Sequence, residues 1–166
     1  MKITLRPWHL DDVTDLVAIA NNKNIAQFMA DVFPHPYTIE NGKTFITFAN
    51  TNPNSKIFAI IVDGKPSGSI GLHLQTDILR KNAEIGYWLG EQHWGKGIIT
   101  QAIPQMIDYG FNNMDIVRIF ARIMGNNKAS QKVVEKCGFI LEGKYEKTIF
   151  KNNELLDELI YAIRKK

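Results

Sequence analysis

The chain has 166 residues, 45% of them hydrophobic, enough for one well-filled core and too few for two ordinary domains, so a single domain over residues 1–166 is expected. Its formal net charge is only +3, and its Lys and Arg residues are scattered, which excludes the basic stripe that nucleic-acid binding requires. No apolar run approaches the roughly 20 residues that cross a bilayer. Residues 1–6 hold no apolar stretch of the secretion type, and the lone Cys137 permits no internal disulfide, so a soluble protein of the reducing cytoplasm, with no membrane partner, is expected.

Residues 3–6 read as a short strand, after which Asp11-Asp12 opens a helical pattern with Val13, Leu16, Val17 and Ala20 on one face. A polar break follows at residues 21–24, and residues 25–28 suit a further helical turn. Phe33-Pro34-His35-Pro36-Tyr37 must be a loop, since each proline disfavours helix at the residue before it. Thr38 has the character of an N-cap, and the helix after it would bury Phe45, Ile46 and Phe48. Residues 57–62 and 67–74 read as antiparallel strands joined through Asp63-Gly64-Lys65-Pro66, because Asp-Gly is a strong hairpin signal.

Residues 83–89 are β-branched and aromatic enough for a central strand. A helix over 98–111, a strand over 116–123 and a helix over 129–136, closed by Gly138, come next. The last two strands are 139–150 and 155–163, joined at Asn152-Asn153. Pro104 conflicts with the first of these helices and predicts a kink near residues 100–104, against which Ile98, Ile99, Ala102, Ile103, Met106, Ile107 and Phe111 form a core-facing set. Cys137 reads as a packing residue rather than a nucleophile, since no acid–base group surrounds it in sequence.

The segment Gln92-His93-Trp94-Gly95-Lys96-Gly97-Ile98 joins the central strand directly to a helix. Two glycines there are either a simple tight turn or an anion cradle, in which missing Cβ atoms let successive N–H groups turn toward one phosphate at the positive end of the helix. The spacing Gln-x-x-Gly-x-Gly differs from the phosphate loop of nucleotide hydrolases and from the dinucleotide fingerprint, and so suggests another pyrophosphate ligand.

This loop, the preceding Glu84-Ile85-Gly86-Tyr87-Trp88-Leu89-Gly90, Asn127-Lys128-Ala129-Ser130 and Glu135-Lys136-Cys137-Gly138-Phe139 together resemble the GNAT superfamily of N-acetyltransferases, and within it the Rim-type branch of ribosomal-protein N-terminal acetyltransferases. The resemblance runs from Leu5-Arg6-Pro7 to Tyr161. It implies an α+β domain: a mostly antiparallel mixed sheet of about seven strands, splayed between strands 4 and 5 and flanked by about four helices. It also implies acetyl-CoA as cosubstrate, no metal, and an amine acceptor that is either a small molecule or a protein N-terminus. Monomer and homodimer both remain open.

By the same resemblance, the backbone from Gln92 through His93, Trp94, Gly95, Lys96 and Gly97 to Ile98 receives the pyrophosphate, while main-chain groups of Trp88, Leu89 and Gly90 meet the pantetheine arm. The side chains of Trp88 and Trp94 suit ordinary core packing. The Leu89 N–H would be the oxyanion donor. Asn127 and Ser130 either cap a helix or, as the resemblance implies, reach the pantetheine region and the sulfur, with Ser130 as general acid because residues 131–136 offer no tyrosine. Glu84 interrupts an apolar strand and is either a carboxylate at the sheet edge or in an ion pair, or the general base, acting through water.

Glu146 is a second base candidate, at a place where the branch often carries an arginine, which unsettles the transfer of any relative's substrate. Phe28, Met29, Phe33, His35 and Tyr37, with Tyr161, form either the acceptor wall or a plain lid over the core. The expected function is acetyl-CoA-dependent N-acetylation of a primary amine; the alternative is a non-catalytic acyl-CoA-binding regulatory module.

Overall fold

Seven strands, β1 (Ile3–Pro7), β2 (Ser55–Val62), β3 (Lys65–Leu74), β4 (Asn82–Leu89), β5 (Arg118–Met124), β6 (Ile140–Lys151) and β7 (Glu154–Arg164), form one sheet in the order β1-β2-β3-β4-β5-β7-β6. The computed structural model describes residues 1–166. Every strand pair is antiparallel except β4 with β5, which run parallel. Five α-helices, rather than about four, flank the sheet: α1 (Val13–Ala20), the single-turn α2 (Lys23–Ala26), α3 (Ile39–Thr51), α4 (Ile98–Asn113) and α5 (Lys128–Lys136). The fold is α+β.

Strand alternation divides the interior in two. One core joins Leu72, Ile85, Ile119 and Tyr161 to Ile98, Ala102, Ile103 and Met106 of α4 and Val134 of α5. The other joins Ala59, Ile61 and Trp88 to Trp8, Leu16 of α1 and Ile46 of α3. Thr38 caps α3 reciprocally with Asn41, the Asn41 N–H donating to Thr38 Oγ1 at 3.2 Å and the Thr38 N–H to Asn41 Oδ1 at 2.9 Å. Phe45 and Ile46 face inward as expected, but Phe48 is 44% exposed, because it lies on the outer side of the same helix.

The β2–β3 turn is the two residues Asp63 (φ 47°) and Gly64 (φ 88°) alone. Lys65 and Pro66 therefore belong to β3 and not to the turn; Pro66 sits beside the bulge at Ile60/Ile61, where a missing ladder donor is tolerated. Asn152 (φ 53°) and Asn153 (φ 60°) make the equivalent turn between β6 and β7. β5 starts at Arg118, and Ile116, expected inside it, is buried in the connection instead.

Helix α4 runs through Pro104 as one element. A proline at this position leaves the carbonyl four residues back without its helical donor. That carbonyl, of Thr100, instead lies 3.7 Å from the Cys137 Sγ at the end of α5, which donates to it. Cys137 thus joins two helices, and burial pushes its thiol pKa up, away from the thiolate a nucleophile needs.

Candidate active site

The two edges of β4 are treated differently. Toward β3 it pairs from Ala83 through Leu89, in register with Leu74 through Gly68, whereas toward β5 the pairing stops after Asn82, Ala83 and Glu84. Beyond Glu84 the strands part. The Gly90 N–H donates to the Ser67 carbonyl at 2.8 Å on the β3 side, so by the alternation of an extended strand the Leu89 N–H is turned to the opposite, parted edge. The Leu89 carbonyl faces the same way and accepts the Trp94 indole N–H at 2.8 Å. Trp94 is therefore not core: it is 42% exposed and pins the loop to the split, whereas Trp88 is buried in the second core.

Past the strand, Glu91–His93 form one tight turn, and Gly95 and Gly97 both take φ 72°, a left-handed conformation that side-chained residues rarely adopt. Added Cβ atoms at either glycine would meet nothing within 4 Å, so the space over the loop is open. Intrachain hydrogen bonding resumes at Gln101, whose N–H reaches the Gly97 carbonyl at 3.3 Å; the N–H groups from Gly95 to Thr100 have no partner within the chain. Six successive free donors at the positive end of a 16-residue helix fit an anion with several oxygens. Lys96 folds back onto the Gln92 carbonyl at 2.7 Å, which places a cation beside them. The His93 pKa is lowered, first by burial and then by the Lys96 charge.

Across the split, the Asn127 side chain caps α5 by accepting the Ser130 N–H at 3.2 Å. The capping reading is thus correct as far as the backbone goes, and it leaves the Ser130 hydroxyl free. That hydroxyl lies 2.6 Å from the hydroxyl of Tyr87 on β4. The sequence reading passes over Tyr87; the available signal is its parity with Ile85 and Leu89, which puts it on the α4/α5 side of the sheet. Burial pushes its phenol up to about 12, against a smaller lowering from Ser130.

Glu84 stands at the last paired position before the strands part and faces the opposite side of the sheet. Arg122 Nε lies 3.6 Å from its carboxylate, and Arg122 also binds Glu158 at 3.1 Å while its guanidinium covers the Phe120 ring. Burial raises the Glu84 pKa, Arg122 lowers it and Glu158 raises it, for a net rise. A carboxylate so tuned can accept a proton near the split. Glu146 is not brought there: it is exposed on the edge strand β6, with β5 and β7 between it and β4.

A cleft of about 490 Å³ opens between the residue 23–35 segment and the tip of the β6–β7 hairpin, with Lys23, Gln27, Phe33 and His35 on one side and Lys151 and Asn152 on the other. Lys151 bridges it to Asp31 at 2.8 Å. The Phe33 ring packs 5.7 Å from Trp88 and 5.2 Å from Tyr37, which connects the cleft to the end of β4. His35 is exposed in it; Met29 and Tyr37 lie behind in the second core, and Phe28 is half-buried. Tyr161 is elsewhere. Paired with Ala121, it faces α5, where its hydroxyl donates to Glu135 at 2.9 Å, so its parity along β7 removes it from the acceptor wall.

The chain matches the Acetyltransferase (GNAT) domain family over residues 2–140. Among curated proteins it is 29% identical to the uncharacterized N-acetyltransferase p20 of Bacillus licheniformis, covering 99% of this chain and 94% of p20. It is 35% identical to the putative ribosomal N-acetyltransferase YdaF of Bacillus subtilis over 64% of this chain, and 35% identical to the ribosomal-protein-serine acetyltransferase of Escherichia coli K12 over 65%. The matches span 58% and 60% of those two proteins, less than two thirds of their length. The microcin C7 self-immunity acetyltransferase MccE, solved with acetyl-CoA and AMP, superposes with TM-score 0.86 at 31% identity, covering 99% of this chain and 93% of that one. RimL, the ribosomal L7/L12 α-N-protein acetyltransferase solved with coenzyme A, shares the fold with TM-score 0.86 at 24% identity, covering 99% and 94%.

Proposed function

Because the chain belongs to the GNAT acetyltransferase family, we propose that it moves the acetyl group of acetyl-CoA to a primary amine, a protein N-terminus or a small molecule, at the mouth of the split between β4 and β5. The observation that carries this reading is the run of unpartnered N–H groups from Gly95 to Thr100 beside a sheet edge that has lost its neighbour. MccE and RimL, solved with acetyl-CoA and coenzyme A, support the choice of cosubstrate.

The free donors from Gly95 to Thr100, with Lys96, hold the diphosphate, whereas the His93 and Trp94 N–H groups, expected to share in it, are taken by the Gly90 and Glu91 carbonyls. The pantetheine arm takes the place of β5 at the parted edge, where by the same alternation the main-chain groups of Tyr87 and Leu89 face it while those of Trp88 and Gly90 are turned to β3, and Asn127 flanks it. The thioester supplies an acyl group that is already activated, so the protein needs chiefly to orient and polarise it. The Leu89 N–H, at the parted edge, donates to the carbonyl oxygen as charge builds there. Ser130 donates to the sulfur as it leaves. Glu84, with its raised pKa, takes the proton of the incoming amine through water.

The amine approaches from the cleft between Phe33, His35 and the β6–β7 tip. An α-amino group, with a pKa of about 8, is already partly neutral near pH 7, while a lysine side chain near 10.4 is not, so the single half-buried Glu84 suits an α-amine better. The name of the E. coli relative, a ribosomal-protein-serine acetyltransferase, agrees with that preference.

Thiol release from acetyl-CoA with a panel of peptides and small amines tests the reading. Turnover with at least one α-amine is expected, and Ser130→Ala should lower kcat about 100-fold while acetyl-CoA affinity changes little. Tight binding of acetyl-CoA with no coenzyme A liberated by any amine would instead mark a non-catalytic binding module.

A further inference from the structure

We infer that Tyr87 is a positioning residue for acetyl transfer: its hydroxyl, 2.6 Å from that of Ser130 across the parted strands, sets the direction in which Ser130 presents its proton to the leaving sulfur. The inference rests on the role proposed for Ser130. The two residues are 43 positions apart and come from different sides of the split, Tyr87 from β4 and Ser130 from the first turn of α5.

A serine hydroxyl rotates among three staggered positions, and its hydrogen goes wherever an acceptor draws it. Asn127 engages the Ser130 main-chain N–H, not the hydroxyl, so within the chain Tyr87 alone fixes that rotor. Either hydroxyl can donate in this pair; with the phenol taken as the donor, the Ser130 hydrogen is left available to a third atom. With its own hydrogen engaged on the Ser130 oxygen, Tyr87 orients Ser130 and does not supply the proton.

The step balances without a proton from Tyr87. The carbon–nitrogen bond forms, and the carbon–sulfur bond breaks with its electron pair on sulfur. One proton leaves the amine for water, and one returns from water to sulfur by way of Ser130.

Tyr87→Phe removes one oxygen and keeps the ring. At saturating acetyl-CoA its kcat is expected to fall about tenfold, with the calorimetric Kd for acetyl-CoA and the melting temperature unchanged. On a Ser130→Ala background the same change is expected to cost nothing further, since the hydroxyl it orients is gone. Full kcat in Tyr87→Phe overturns the inference. So does an equal fractional loss on both backgrounds, which would make Tyr87 act without Ser130; this comparison holds even if Tyr87→Phe is less stable, because both backgrounds carry that loss. Normal turnover in Ser130→Ala removes the role of Ser130, and this inference with it, whereas slow Ser130→Ala beside normal Tyr87→Phe removes only the role of Tyr87.

Discussion

The two edges of β4 belong to one strand and carry opposite duties. Toward β3 the ladder is closed and tight: at Gly68 an added Cβ would come within 2.4 Å of the Trp88 carbonyl and 2.9 Å of Leu89 Cα. Toward β5 the ladder ends after Glu84, and beyond the strand the N–H groups from Gly95 to Thr100 have no partner in the chain. Stability is concentrated at the first edge, and the chemistry proposed above at the second, so a substitution can be assigned to one or the other by what it damages.

The largest effect is expected on the closed edge. Gly68→Ala forces backbone against backbone and should destabilise the fold by about 3 kcal/mol, read as a lower urea midpoint. An unchanged midpoint would mean that the β3–β4 ladder is looser than the contacts at Gly68 require.

On the open side, Gly97→Ala meets empty space and only a backbone penalty of about 1–2 kcal/mol at φ 72°. The fold should survive it, while affinity for acetyl-CoA in calorimetry should drop about tenfold as the N–H groups turn away. A normal Kd would detach the loop from the diphosphate.

Glu84→Gln gives the smallest and most specific change. The folded-state pKa of Glu84 is raised, so its contribution to stability is full below the ordinary carboxylate value and is lost as pH rises through the folded value. Replacing it with a neutral amide therefore should not lower the melting temperature at pH 7. The pH–rate profile is the sensitive readout: without the base, turnover has to wait for the amine to deprotonate on its own, and the optimum should move upward toward about 8. An identical profile would leave base duty to solvent.

Local chemistry made much of this legible. Asp63-Gly64 and Asn152-Asn153 announce their turns because positive φ at two successive positions is a demand on the residues themselves. Gly95 and Gly97 announce the loop for the same reason. What escaped depends on which strand lies beside which and on parity across them. Tyr87 and Ser130 meet only because β4 and α5 flank the same gap, and Tyr161 falls on the α5 side because of its partner Ala121. The indole of Trp94 looked like core because it is large and apolar, yet its N–H had a nearer use on the Leu89 carbonyl.

Pro104 entered as a defect in a helix, and its consequence is a link between two helices. The carbonyl it frees on Thr100 is held by Cys137, which ties the helix that begins after Gly97 to the helix that begins after Asn127. On the proposed reading, those two helix starts grip opposite ends of one long, flexible cosubstrate. The contact between them, a thiol donating at the far end of α5, couples the positions of the two grips.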